Sequence, residues 1–299
     1  MDKKIKEKID NFLMKSSTLP KIIVIYWPTA CWKTNLSLDI AEYLGTEIIW
    51  ADSRQIYRGL DIWTWKIKEK EKRWIKHHMI DIKDIKEEYS VWEYKKDSKK
   101  IINEIHSKNL IPIICGWTGL YIDAISYNFD IPEIEPDWVL RNELEILRIE
   151  KWNEYIWNML HELDPDYAND IEKNNYRYVI RWIEVFKKTG KSKKALKKKL
   201  PETYDKLFIT PYEWDREDLY SKINLRIDEM FQDGLIDEVK SLINQGYEKN
   251  DYWMVSIWYR EPISYIEWEI NLEECKNLVK QHNRNYAKRQ LTWFKKYEK

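Results

Sequence analysis

Glycine is scarce in this chain. It occurs 7 times in 299 residues, whereas ordinary proteins carry it at about 7%. Cysteine is scarcer, with three widely spaced residues, Cys31, Cys115 and Cys275, and no CxxC pair. That argues against a disulfide framework or a cysteine zinc site, and for a reducing cytoplasm. No apolar run approaches the length that spans a bilayer. The N-terminal MDKKIKEKIDNFLMKSS also lacks the apolar stretch of a signal peptide. A soluble cytoplasmic protein without membrane contact is expected. Net charge is absent too: 51 Lys and Arg balance 51 Asp and Glu. No global field draws the chain to nucleic acid, so any such contact must come from local clusters.

Tryptophan is what the chain has instead, at 17 residues. Taken together, the glycine and tryptophan counts are about what ordinary usage gives for the pair. The tryptophan excess reads as a glycine deficit in disguise.

Strand-like apolar runs at 21–26, 47–50 and 109–115 alternate with helical patterns at 33–45 and 89–108. This alternation predicts a parallel sheet with crossover helices, its strands apolar throughout because both faces are covered. From about residue 126 the texture changes. Pro132, Pro136 and the acidic EIEPD mark a linker, and 139–163 and 171–188 read as helices rich in charge and aromatics. A strand-like run follows at 207–210, then helices at 215–233 and 235–244, each followed by glycine. One basic helix fills the last thirty residues. The expected division is a core of 1–125 and 173–299, interrupted by a helical insert at 126–172.

Between the first strand and the first helix stands YWPTACWKT, Tyr26 to Thr34. A phosphate loop reads GxxxxGK[ST]: its backbone amides cradle phosphates, its lysine adds charge and its hydroxyl holds a metal. Spacing, preceding strand and following helix fit, but both glycines are tryptophan, at 27 and 32. The string alone leaves a phosphate loop and a chance strand–turn–helix ending in Lys-Thr level. Two indoles would fill the anion cavity, so the chain as written should bind diphosphate poorly. The same replacement recurs in DIWTWK (61–66) and CGWTG (115–119), where tight backbone is expected.

With glycine at 27 and 32 the chain resembles the tRNA dimethylallyltransferases, which isopentenylate the adenosine 3′ of the anticodon. The resemblance runs from Lys21 to Tyr297. It rests on WPTACWKT (27–34), ADSRQIYRGLDIWTWK (51–66), YSVWEY (89–94), CGWTGLY (115–121), DREDLYSKINLRIDEMFQDGLIDEV (215–239) and YAKRQLTWF (286–294). Tryptophan stands where the family pattern has glycine at 27, 32, 63, 117 and 258, whereas Trp293 matches a family tryptophan. One explanation is a gene that uses UGA for glycine, translated with a code that reads UGA as tryptophan. The other is a degenerate paralogue with real indoles.

The resemblance implies an α/β fold, with a P-loop NTPase-like parallel sheet core flanked by helices and an inserted helical tRNA-binding domain. It implies Mg²⁺ as cofactor, dimethylallyl diphosphate and the tRNA anticodon stem-loop as partners, and a monomer. Trp27, Pro28, Thr29, Ala30, Cys31, Trp32, Lys33 and Thr34 would hold the diphosphate, Thr34 would hold the metal, and Thr29 would lie near the bridging oxygen. Arg226 would be a further diphosphate arginine, though taken alone it reads as a solvated helix charge. Asp52 would be the general base, where the residues alone leave base and metal ligand level. The adenine must leave its stack. Asp52, Ser53, Arg54 and Gln55 would read it, with Gln55 suited to adenine's donor and acceptor edge. Thr118 would line the channel.

Arg141 is either a tRNA contact or a surface helix charge. Arg177, Tyr178, Val179, Ile180 and Arg181 fall in the segment that similar enzymes place against tRNA. The lysine run of 187–199 is a solvated face or a phosphate contact. Arg284, Lys288, Arg289, Lys295 and Lys296 form a second basic surface. His77 and His78 are adjacent, point apart and receive no ligand role. Two rival readings stand: a small-molecule or nucleotide kinase on the same loop, and a tRNA-binding paralogue without activity.

Overall fold

Five parallel strands carry the sheet: β1 (Lys21–Tyr26), β2 (Ile48–Ala51), β3 (His77–His78), β4 (Ile113–Gly116) and β5 (Asp205–Ile209). Their order is β3-β2-β4-β1-β5, seen in a computed structural model that describes residues 1–28, 33–128, 134–196, 200–210, 215–248 and 259–298. Ile22 to Ile25, Ile48, Ile49, Ile113 and Ile114 are all fully buried, as parallel strands covered by helices should be. Those helices are α1 (Lys3–Met14), α2 (Lys33–Leu44), α3 (Val91–Ser107) and α4 (Gly119–Ser126).

Local chemistry sets the ends. Ser90 Oγ accepts from Glu93 N, and the Glu93 carboxylate accepts from Ser90 N at 2.7 Å, a capping box that starts α3 two residues later than expected. Gly45, at φ +60°, closes α2. The third apolar run was expected as a strand from 109, but Asn109 (φ 58°) turns the chain out of α3 and β4 begins at Ile113. Helix α1 escaped the sequence reading, although Ile9 and Phe12 on it are buried.

The chain forms two compact units, 1–127 with 202–299, and 128–201. The second holds α5 (Trp138–Leu163), α6 (Pro165–Ala168), α7 (Tyr176–Thr189) and α8 (Lys193–Leu196). The insert was expected to end at 172. The compact unit runs on to Pro201 because α7 turns Val179, Ile180 and Ile183 onto Leu144, Ile156 and Leu160 of α5. Helix α5 is broken at Trp152, where φ is 68° and ψ 165°.

The first unit resumes with α9 (Arg216–Gln232), α10 (Leu235–Asn244), α11 (Arg260–Ile266) and α12 (Leu272–Phe294). Asp215 and Asn271 cap α9 and α12 by accepting from Glu217 N and Glu274 N. The expected terminal helix stops at Phe294 and tightens into a 3-10 turn over Lys295–Glu298. There Tyr297 Oη donates to buried Asp123 of α4 at 2.5 Å, and Lys296 pairs with the same carboxylate. Trp293 packs on Gly119 so closely that a Cβ there would lie 2.4 Å from the indole. Among the described residues, no helix is long and apolar enough to cross a membrane.

Candidate active site

Register brings the site together. Tyr26 pairs with Gly116, and Ala51 pairs with Gly116, so β1, β4 and β2 end side by side. Whatever follows each strand emerges at one carboxyl edge, where open α/β sheets bind ligands. The approach is tight: a Cβ on Gly116 would lie 2.2 Å from Ala51 O. Asp52 follows β2 and is fully buried. Its Oδ1 accepts from Arg54 N at 2.8 Å and, more weakly, from Gln55 N at 3.5 Å. Ser53 N donates to Thr118 Oγ1 at 3.0 Å, and Thr118 N donates to Ala51 O. Gln55 is 1% exposed and donates Nε2 to Thr64 O at 3.0 Å. Its Oε1 has no hydrogen-bond partner among the described residues. The structure thus gathers Asp52, Ser53, Gln55 and Thr118 at one edge.

Aromatic side chains surround them. Tyr94 and Tyr121 are buried and stack with ring centroids 3.9 Å apart. Burial above all raises both phenols far above the ordinary range, helped by the Asp52 charge at Tyr94 and by neighbouring Tyr57 and Tyr94 at Tyr121; burial and then the Asp52 charge raise Tyr286 of α12. These phenols stay protonated beside Asp52. Sequence reasoning gave them no role, although all three lie inside quoted motifs.

The expected phosphate loop is seen at its flanks. Thr29, Ala30, Cys31 and Trp32 lie outside the described residues, as do the side chains of Lys33 and Thr34. Both of the latter open α2, directly after the loop. Trp27 is buried and, with Pro28, lines a cavity of about 300 Å³ whose walls include Arg216, Lys288 and Lys295. The Arg226 guanidinium lies 5.1 Å from the Trp65 ring and 5.4 Å from the Trp117 ring. Two indoles therefore flank the expected diphosphate arginine.

In the helical unit, Arg141 is no simple surface charge. It pairs with fully buried Glu184 at 2.8 Å, and Arg181 pairs with the same carboxylate. Val179 and Ile180 are buried in the core of the unit, so within this segment it is their neighbours that present side chains to solvent. Arg177 and Tyr178 are exposed, as are Lys187, Lys188 and Lys191. Lys197 to Lys199 and the side chains of Lys193 and Lys194 lie outside the described residues. On the other unit, Lys288, Arg289, Lys295 and Lys296 are exposed, while Arg284 donates to Asn224 Oδ1 at 2.7 Å. His77 Nδ1 accepts from Trp50 Nε1 at 2.8 Å, and His78 Nε2 meets Glu47 Oε2 at 2.6 Å. No group of three or more His, Cys, Asp or Glu able to hold a metal occurs among the described residues.

The IPP transferase family model matches residues 55–297. The tRNA dimethylallyltransferase of Alkaliphilus oremlandii is 44% identical over 280 residues, covering 93% of this chain and 89% of its own. That of Acetivibrio thermocellus is 43% identical over 283 residues, covering 94% and 90%. Among solved structures, the tRNA delta(2)-isopentenylpyrophosphate transferase of Staphylococcus epidermidis shares 41% identity, with 92% and 90% coverage and a TM-score of 0.66. A eukaryotic dimethylallyltransferase acting on tRNA shares 30% identity, with 92% and 70% coverage and a TM-score of 0.78. With a transferase sequence match over most of its length, and a buried aspartate where the sheet's strands end, the chain belongs to the IPP transferase family of tRNA dimethylallyltransferases.

Proposed function

We propose that this protein transfers the dimethylallyl group of dimethylallyl diphosphate to the exocyclic amine of the adenosine 3′ of the tRNA anticodon. The observation that supports this most is the gathering of buried Asp52 and Gln55 with half-buried Thr118 at the carboxyl edge, beside the strand–loop–helix of β1 and α2. A flipped adenine entering there meets Gln55 Oε1, an acceptor suited to its amine. Asp52 takes the amine proton as the new nitrogen–carbon bond forms and the carbon–oxygen bond to diphosphate breaks. The surrounding buried tyrosines keep water from the allylic, cation-like carbon.

Residues 27–34 bind the diphosphate through backbone amides and Lys33, with Thr29 near the bridging oxygen and Arg226 beside it. Thr34, in the first turn of α2, would supply a hydroxyl oxygen that, with diphosphate oxygens, suits magnesium. The ion would offset charge on the leaving group. Residues 128–201 act as a tRNA-binding unit through exposed Arg177, Tyr178 and the lysines after α7, with the basic face of α12 as a second contact. Arg141 and Arg181 shape that surface from their places on Glu184. The protein works as a monomer in the cytoplasm.

The active form carries glycine at 27, 32, 63, 117 and 258. Buried Trp27 and the indole of Trp117 stand where backbone must approach diphosphate. Trp65, Trp74, Trp152 and Trp268 join this set, because each has φ between 52° and 68°, a region that bulky side chains avoid. Asp52→Ala in the glycine-bearing protein tests the assignment. Turnover should fall by about 10²–10⁴-fold while tRNA affinity is kept. Undiminished transfer would remove Asp52 from the chemistry. ATP turnover without tRNA would favour the kinase reading, which the transferase relatives do not support.

A further inference from the structure

Glu238 lies on α10, near the end of the motif 215–239, with no role assigned to it. Its carboxylate receives four donors. Oε2 accepts from Asp61 N at 3.0 Å and Ile62 N at 2.7 Å; Oε1 accepts from Trp63 N at 3.3 Å and Tyr259 Oη at 3.2 Å. Three successive backbone amides are thus tied to a single side chain 175 to 177 positions along the chain. All three donors are backbone N–H groups, and residue 63 keeps its N–H whether it is tryptophan or glycine.

The next residue of that loop completes a relay. Thr64 O accepts from Gln55 Nε2 at 3.0 Å, and Thr64 Oγ1 donates back to Leu60 O. A carbonyl oxygen can only accept, so Gln55 must turn its NH₂ toward Thr64. Its Oε1 is left as the group without a partner among the described residues, buried beside Asp52. That orientation decides what the site can read. An acceptor there suits the 6-amino group of adenine and opposes the 6-oxo group of guanine.

We infer that Glu238 is a positioning residue: by holding the amides of residues 61–63 it fixes Thr64 O, and so the orientation with which Gln55 selects adenine. This rests on the proposed role of Gln55 at the base. A glutamine at 238 keeps the size of the side chain but has one acceptor oxygen in place of two. Its NH₂ would face backbone N–H groups that can only donate. The loop would then shift, and Thr64 O with it.

The test uses full-length glycine-bearing protein, with Glu238→Gln and Glu238→Asp as variants. For an anticodon stem-loop RNA with adenosine at the target position, Glu238→Gln should lower kcat/KM by about 10–100-fold. The KM for dimethylallyl diphosphate should not change. A stem-loop with guanosine at that position should compete more nearly as well as the adenosine one. Glu238→Asp, which keeps the carboxylate but draws it back, should fall between. Amide hydrogen exchange at residues 60–64 should speed up in Glu238→Gln while the sheet stays protected. A kcat/KM within about twofold of the parent, unchanged exchange at 60–64, or equal loss for both substrates with general unfolding would each overturn the inference. If the parent transfers nothing, the proposed function fails. The exchange and the guanosine-versus-adenosine competition then still decide whether Glu238 governs Gln55.

Discussion

Trp152 shows most plainly what a single residue can reveal. Its φ of 68° and ψ of 165° fall in a region that is essentially reserved for glycine. The indole gains nothing in return, being 80% exposed; Trp74 and Trp268, also at positive φ, are 104% and 90% exposed. Strain without burial is the signature of a side chain placed on a backbone that does not call for one. Trp152→Gly should therefore stabilise the protein, by about 1–3 kcal/mol in urea unfolding, which is the usual cost of such a conformation. A loss of stability would contradict this reading. Trp293 is the control. It packs against Gly119 with no room for a Cβ, so Trp293→Gly should destabilise. The gene offers an independent check, with UGA expected at 27, 32, 63, 65, 74, 117, 152, 258 and 268 and UGG at 293. UGG at all ten would make the indoles real.

Among the elements, buried Glu184 of α7 and half-buried His77 of β3 are both shifted to lower pKa, and both lose their contribution in acid. Burial would raise Glu184, but hydrogen bonds from Arg141 and Asp137 N and the charge of Arg181 outweigh it and hold the carboxyl below its ordinary range. Its contribution is present above the ordinary carboxylate pKa and is lost as pH falls through the lower folded value. Glu184→Ala strands two guanidinium groups and should cost the helical unit about 3–5 kcal/mol. His77 is lowered from 6.5 to about 4, by burial first and then by the charge of Lys72. Its neutral ring accepts the Trp50 indole N–H. The unfolded chain binds the proton more readily, so this stability is full above pH 6.5 and is lost as pH falls towards 4. His77→Asn should flatten the pH dependence of unfolding over that window, and an unchanged slope would remove His77 as its source.

The same elements mark the limits of what the residues alone disclose. Strand β1 and helix α2 were legible because an apolar run, a loop and a 3.6-residue period leave a local signature. Asp52, Gln55 and Thr118 were reached through motif resemblance, and register then brought them to one edge. Glu238 lies inside the motif of 215–239, but nothing local marked its role, since three of its partners are backbone amides far along the chain. The break in α5 was equally silent, because tryptophan does not announce a left-handed turn. Helix α4 was missed because it is short and opens on a glycine.

At the scale of the whole molecule, charge and division matter most. A chain with 51 residues of each sign has to bind RNA through local clusters, not through a general field. Composition marked the start of the helical unit near 126. Its end was not legible, since the apolar positions of α7 could have been buried on either unit until packing against α5 chose. Exposed Lys187 and Lys191 follow that choice. Replacing each with alanine should weaken tRNA binding evenly across sequences and reduce the slope of log affinity against log salt by about 0.7–0.9 per lysine. An unchanged slope would exclude them as phosphate contacts.

The decisive experiment is a paired transfer assay. The chain as written and the glycine-bearing chain would each be incubated with magnesium, labelled dimethylallyl diphosphate and a tRNA with adenosine 3′ of its anticodon. The modified nucleoside would then be counted after digestion. Label should appear on that adenosine with the glycine-bearing chain and be absent or much reduced with the chain as written. A glycine-bearing chain that folds, binds the tRNA and transfers no label would contradict the proposed function.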